Sequence, residues 1–334
     1  EYIIEQNSIF PYLNATLINS GAKAEYINRY MTLNTDLILN KLIEFAIKEL
    51  GPPPVKFVFL IFGSEGRHEQ TLKTDQDNAI LYQDVSDDQE KVVNAYFLKL
   101  SNKVCNWLDQ AGYSFCEGNN MAKNPKWCQP LSIWKNYFST WIDKANAKSL
   151  LKTNIFFDFR KAYGDDSLVT QLRSHLYKKT NKSPRFFQLL ARNVLSLSPP
   201  IGFFGNFVLE TKGKQRKAID IKSAMTPIVD YARIYAIKHN IKATNTIERL
   251  NHLYELGILI SQNHNEMVQA YSYLMQMRLR NQADAITKNI KPNNYISPRD
   301  LTYIKQKLLK EIFSQIKNFQ TKLSYDFTGM KDAI

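Results

Sequence analysis

Residues 55–82, VKFVFLIFGSEGRHEQTLKTDQDNAILY, decide how the rest of the chain is read. VKFVFLIF is a short, nearly unbroken apolar run rich in β-branched and aromatic residues, the pattern of a strand buried on both faces. Gly63 and Gly66 then permit a tight turn, and Ser64 stands where a helix N-cap would. Backbone N–H groups at such a helix start point outward and favour an anion, typically phosphate. Asp75 and Asp77 follow, at the opening of a second strand. Two residues apart on a strand, both side chains leave from one face. At about 4 Å and an effective dielectric of about 20, two carboxylates repel by roughly 4 kcal/mol. A divalent cation offsets that repulsion, and Mg²⁺ favours one or two carboxylates together with substrate phosphate oxygens. A phosphate-binding turn beside an Asp-x-Asp strand is the outline of a metal-dependent nucleotide site. Taken singly, Asp-x-Asp and Gly-Ser are weak motifs; their order behind a buried strand carries the reading.

Thr153 to Arg160, TNIFFDFR, reads as another strand, with Asp158 and Arg160 on one face and Phe157 and Phe159 on the other. A charged pair in an apolar strand is costly unless it is paired or metal-bound. Asp158 therefore needs a cation beside it, a metal ion or Arg160 in a structural ion pair.

The block GSEGR…EQTL…TDQDN resembles the nucleotidyltransferase fold of the DNA polymerase beta superfamily. That superfamily carries Gly-Ser, then Asp-x-Asp, then a third acidic residue on a later strand. The chain looks closest to bacterial nucleotidyltransferase-like proteins often fused to cyclic-nucleotide-binding or CBS domains. These are relatives of the PII uridylyltransferases and the glutamine synthetase adenylyltransferases. The resemblance runs from about Ile38 to about Leu323.

It implies an α+β fold. After an N-terminal lead-in (1–30), a polymerase beta-type nucleotidyltransferase domain, a short mixed sheet with helices, would span 31–180. An all-helical domain would span 181–330, with the site in the cleft between them. An NTP would lay its phosphates on Gly63, Ser64 and the Gly66-Arg67 turn, with Arg67 neutralising the departing pyrophosphate. Asp75, Asp77 and Asp158 would hold Mg²⁺ or Mn²⁺, and Asp158 would help deprotonate a hydroxyl acceptor. IDIKSAMTPIVDYARIYAI resembles part of the family's helical domain, from which Lys222 or Arg233 is expected to reach the phosphates. RLRNQ at 278–282 and PNNYISPRDLTYIKQKLLK resemble the family too. The products would be pyrophosphate and a nucleotidylated acceptor, a regulatory protein among the candidates. The chain opens on Glu1, as a piece of a longer protein would, and the resemblance implies a regulatory domain upstream.

Composition narrows the field. The net charge of +13 is uneven: residues 1–180 carry 21 Lys and Arg against 20 Asp and Glu, and residues 181–334 carry 23 against 11. A basic C-terminal half suggests an acidic partner or a lysine-rich soluble surface. Cys105, Cys116 and Cys128 match no zinc-finger spacing and are odd in number, which suits a reducing cytoplasm. No run of 18 apolar residues marks a membrane span. Gly63-x-x-Gly66 lacks the Gly-Lys-Ser/Thr of a P-loop, and His68-Glu69 has Leu72 where a zincin's second histidine belongs. Trp127, Trp134 and Trp141, seven apart, would share a helical face, either as a hydrophobic patch or as a pocket wall. Helical stripes end at Gly51-Pro52 and resume at Val92–Leu108. Tyr113 to Cys116 reads as a strand, and beyond Asn181 the pattern is helical, with starts at Ser183-Pro184, Asn245 and Ser297-Pro298.

Two other functions compete with nucleotidyl transfer. One is a nucleotide sensor with the same site and no turnover. The other is nucleic-acid binding through the basic helical half, which no RNA-recognition aromatic pattern supports.

Overall fold

The computed structural model describes residues 2–144, 150, 153–202, 205–212 and 215–329. They form an α+β molecule of two compact units, the first chiefly residues 26–144 and 153–183, the second chiefly residues from 184 onward. Residues 14–25 group with the second unit.

The first unit is organised on β1 (Phe57–Ile61), every residue of which is buried. It pairs antiparallel with β2 (Asn78–Tyr82) on one side and with β4 (Arg160–Gly164) on the other; β3 (Cys128–Pro130) adds to β2 in parallel. The order is β3-β2-β1-β4, a small mixed sheet. Alternation sends Phe57, Phe59 and Ile61 to one face. There they join Ile80 and Tyr82 in a core with Leu39, Leu42 and Ile43 of α2 (Ala24–Leu50) and Phe97, Leu100 and Val104 of the helix Asp87–Gln110. Phe62 belongs to the opposite face, packing on Trp134 and Phe156. Both faces are therefore covered, which explains the unbroken apolar run.

The lead-in is helical: α1 (Tyr2–Asn19) and the first turns of α2 occupy it. TNIFFDFR is not a strand. Asn154–Asp158 is a 3₁₀ turn, and β4 begins only at Arg160. The reason is aromatic burial. Phe156 and Phe157 are both buried and both pack on Trp141, whereas a strand would send these adjacent residues to opposite faces. The turn sends Phe156 onto Trp127 and Trp141, and Phe157 onto Phe138. The tryptophans line the same cluster but not one helix. Trp134 and Trp141 lie on the helix Leu131–Asp143, whereas Trp127 closes a 3₁₀ turn at Pro125–Trp127. Trp127 and Trp134 are core and Trp141 is half-buried; Trp134 is fully buried and donates its ring N–H to the Ile80 carbonyl.

The second unit is helical but not all-helical. Its helices are Pro184–Leu195, Ile221–Lys238, Thr246–Glu255, Ser261–Thr287 and Tyr303–Thr328. A three-stranded sheet, β5 (Glu210–Lys212), β6 (Gln215–Asp220) and β7 (Tyr295–Ile296), accompanies them. Ile219 and Asp220 end β6, and the helix opens at Ile221. Asp220 still caps the helix that follows, its carboxylate accepting from the Ser223 N–H. Ser297-Pro298 opens a 3₁₀ turn, and the last helix starts at Tyr303 behind the cap Thr302. Among the described residues no helix is long and apolar enough to cross a membrane.

Candidate nucleotide and metal site

Gly63–Gly66 forms a single helical turn directly after β1. Its N-cap is Phe62, without a side-chain cap; Ser64 lies inside the turn. So short a helix leaves its leading N–H groups without helical partners. Gly63 has φ +59°, and a Cβ there would stand 2.9 Å from Asp77 Oδ2. The position needs glycine twice over, for its backbone and for the space it yields beside the carboxylate. Gly66 needs it for a different reason: a Cβ would run into the backbone carbonyl of Asp158. The turn and the 3₁₀ segment are therefore in backbone contact.

Asp75 and Asp77 lie on an extended lead into β2, not on the strand itself. Asp75 makes an isolated parallel bridge to Ser114, all that remains of the strand expected at Tyr113–Cys116. Alternation fixes their direction. Buried Gln76 donates to the carbonyls of Cys105 (3.0 Å) and Tyr113 (2.8 Å). Asn78 Oδ1 accepts from the Ala122 N–H at 2.8 Å. With the even residues fastened inward, the odd carboxylates face the other way. The Asp77 carbonyl accepts from the Phe62 N–H, which ties the lead to the glycine turn.

Asp75, Asp77 and Cys116 bring one ligand atom each within 4.8 Å of one another. Asp158 is not in that group. It is fully buried, and Arg67 Nη1 donates to its Oδ2 at 2.8 Å; Arg67 Nε donates to Glu69 at 2.7 Å. Its ion-pair partner is thus Arg67, not Arg160, and the Arg67 guanidinium spans two carboxylates. Arg160 instead reaches Asp36 on α2 (2.8 Å) and the Glu65 carbonyl (3.2 Å).

The donor set suits a hard divalent ion through its two carboxylates, and the missing Cβ of Gly63 leaves room beside Asp77. Cys116 is a poor third ligand for such an ion. Burial, with Asp77 adding to it, pushes its thiol up to about 11, so it stays protonated at neutral pH. Glu65, buried within the turn, is pushed up to about 8 by burial, Arg160 pulling the other way. His68 is held down to about 4 by burial and the nearby Arg160, and is neutral at pH 7. In the second unit Lys222 is exposed, while Arg233 is buried and paired with Asp230. Eleven residues apart on one helix, they do not share an environment, and Arg233 is an interior ion-pair member.

Residues 9–148 match the family model described as putative nucleotidyltransferase DUF294, and residues 184–327 match that of its substrate-binding domain. The chain belongs to this nucleotidyltransferase family. No curated protein matches it. The nucleotidyltransferase match contains the glycine turn, both aspartates of the metal group and Cys116. Sequence reading missed Cys116, Glu65 and the Asp36–Arg160 pair, which no local spacing marks. It could have found Gln76: in Asp-Gln-Asp-Asn the inward positions are amides, a sign that the strand is held by side chains as well as by its ladder.

Proposed function

We propose that this nucleotidyltransferase-family chain transfers an NMP from an NTP to a hydroxyl acceptor and releases pyrophosphate. The observation that carries the reading is the convergence of Asp75 and Asp77 beside a glycine turn whose missing Cβ opens space next to Asp77. Asp75 and Asp77 would hold Mg²⁺ or Mn²⁺, which, when bound, offsets charge on the triphosphate in an in-line displacement. Gly63 and Ser64 would offer backbone N–H groups to the phosphates, while the Gly66 N–H donates to the Phe62 carbonyl and closes the turn behind them. The acceptor oxygen bonds to the α-phosphorus as the bond to the β-phosphate oxygen breaks. Arg67 turns from Asp158 toward the leaving pyrophosphate, and Asp158, so released, takes the acceptor proton. Asp75→Asn or Asp77→Asn should lower NTP-dependent pyrophosphate release by on the order of 10²-fold or more, with an unchanged melting temperature. Release at the original rate from either folded variant would refute the assignment.

A second reading has its own support. Asp158 lies outside the Asp75, Asp77 and Cys116 group and is bonded to Arg67. A site left in that state binds nucleotide and does not turn it over. Saturable NTP–Mg²⁺ binding with no product in any acceptor mixture would favour this sensor.

A further inference from the structure

Beside the metal group lies a cavity of about 250 Å³. Two of the segments that line it, Gln70–Leu72 with Thr74 and Gln110–Tyr113, lead out of it into the metal group: Thr74 precedes Asp75, and Tyr113 leads through Ser114 to Cys116. The cavity and the two carboxylates are therefore successive stations along the same pair of chain segments.

The lining carries no charged side chain. Phe10, Pro11, Met31 and Leu72 make it largely apolar, so it suits a neutral occupant and not a triphosphate. One feature is costly as it stands. Gln70 is 1% exposed, and neither its Oε1 nor its Nε2 has a hydrogen-bond partner; the Thr74 hydroxyl is also unpartnered. Its backbone is held in place, the Gln70 carbonyl accepting from the Asn28 amide. A buried amide left unsatisfied on both sides is destabilising and calls for a partner that offers a donor and an acceptor side by side. The volume is below that usual for a whole nucleotide-sized ligand and suits a ring system.

We propose that this cavity receives the adenine ring of the NTP, with Gln70 reading its edge. A glutamine amide pairs with adenine by accepting from the N6 amino group and donating to the adjacent ring nitrogen N7. The apolar lining then packs on the ring. The inference rests on the proposed nucleotide site and adds to it the identity of the base.

Calorimetry on the full chain tests it with probes that separate base from phosphates: adenosine, the four NTPs with Mg²⁺, and inorganic triphosphate with Mg²⁺. Adenosine should bind without metal, and ATP should bind more tightly than the other NTPs. Gln70→Leu should weaken adenosine and ATP by tenfold or more and leave inorganic triphosphate unchanged, with Gln70→Glu as a second variant should the first not fold. Failure of adenosine to bind, equal affinity for all four NTPs, or an unchanged ATP affinity in a folded Gln70 variant would overturn the assignment and leave the cavity to water. Loss of Mg²⁺–triphosphate binding by the unaltered chain would instead count against the metal site itself.

Discussion

Glu65 shows how much one carboxyl group in the glycine turn can report. Its usual value of 4.5 is raised to about 8 in the folded chain, chiefly by burial. Between those values the fold keeps a proton that the unfolded chain has released, so stability falls as pH rises. His68 acts in the opposite sense: its value drops from 6.5 to about 4, so stability is lost as pH falls through that window. From pH 6.5 to 8 only Glu65 of the two still contributes. We expect the chain to lose about 2 kcal/mol over that interval, and Glu65→Gln, neutral throughout, to remove the slope. Denaturant titrations at the two pH values read it directly. Nothing in the sequence marks Glu65, because its state depends on what the fold buries around it. Gly63 and Gly66 were legible as turn residues, but the reasons for glycine were not: one yields to Asp77 and the other to the backbone of Asp158, 92 residues away in the chain.

Among the elements, the extended lead into β2 bears most on the site. Gln76→Leu removes the hydrogen bonds donated to the Cys105 and Tyr113 carbonyls and the longer one accepted from the Asn78 amide. A loss of about 2–3 kcal/mol in stability should follow, with weaker Mn²⁺ binding in the folded fraction, measured by denaturation and by calorimetry. The apolar run of β1 announced a doubly covered strand, and Asp-x-Asp announced two carboxylates on one side; both readings agree with the structure. TNIFFDFR misled because its alternation of Phe and charge imitates a strand. Only the aromatic cluster across the sheet shows that Phe156 and Phe157 must both turn inward. The blocks RLRNQ and PNNYISPRDLTYIKQKLLK, separated by residues 283–291, supply Arg280, Asn281, Tyr295 and Lys305 to one cavity of about 470 Å³ in the second unit. Three hydrogen bonds from Arg278, Asn281 and Gln282 to the Asn293-Asn294 pair fasten them together.

For the molecule as a whole, Ala22 and Ala24, near the start of the chain, are tied to a helix about 250 residues further on. Gln276, on the helix Ser261–Thr287, accepts from the Ala24 N–H at 2.7 Å and donates to the Ala22 carbonyl at 3.1 Å. A cut between Ser183 and Pro184 would therefore strip the second unit of part of its own structure. Gln276→Ala should cost about 1–2 kcal/mol, seen as a lower melting temperature of the full chain. The basic half and the two-part organisation were legible from composition and stripe; the small sheet at β5–β7 was not, because strands of two to six residues carry little periodic signal.

Cys116 gives the carboxylate pair a chemical bias. Sulfur prefers polarisable cations, and a cation that displaces the thiol proton gains a third bond there. Trace cadmium or zinc would then lodge where the proposed Mg²⁺ or Mn²⁺ would act and hold on longer. The same thiol that stays silent toward a light ion makes the centre open to poisoning by a heavy one.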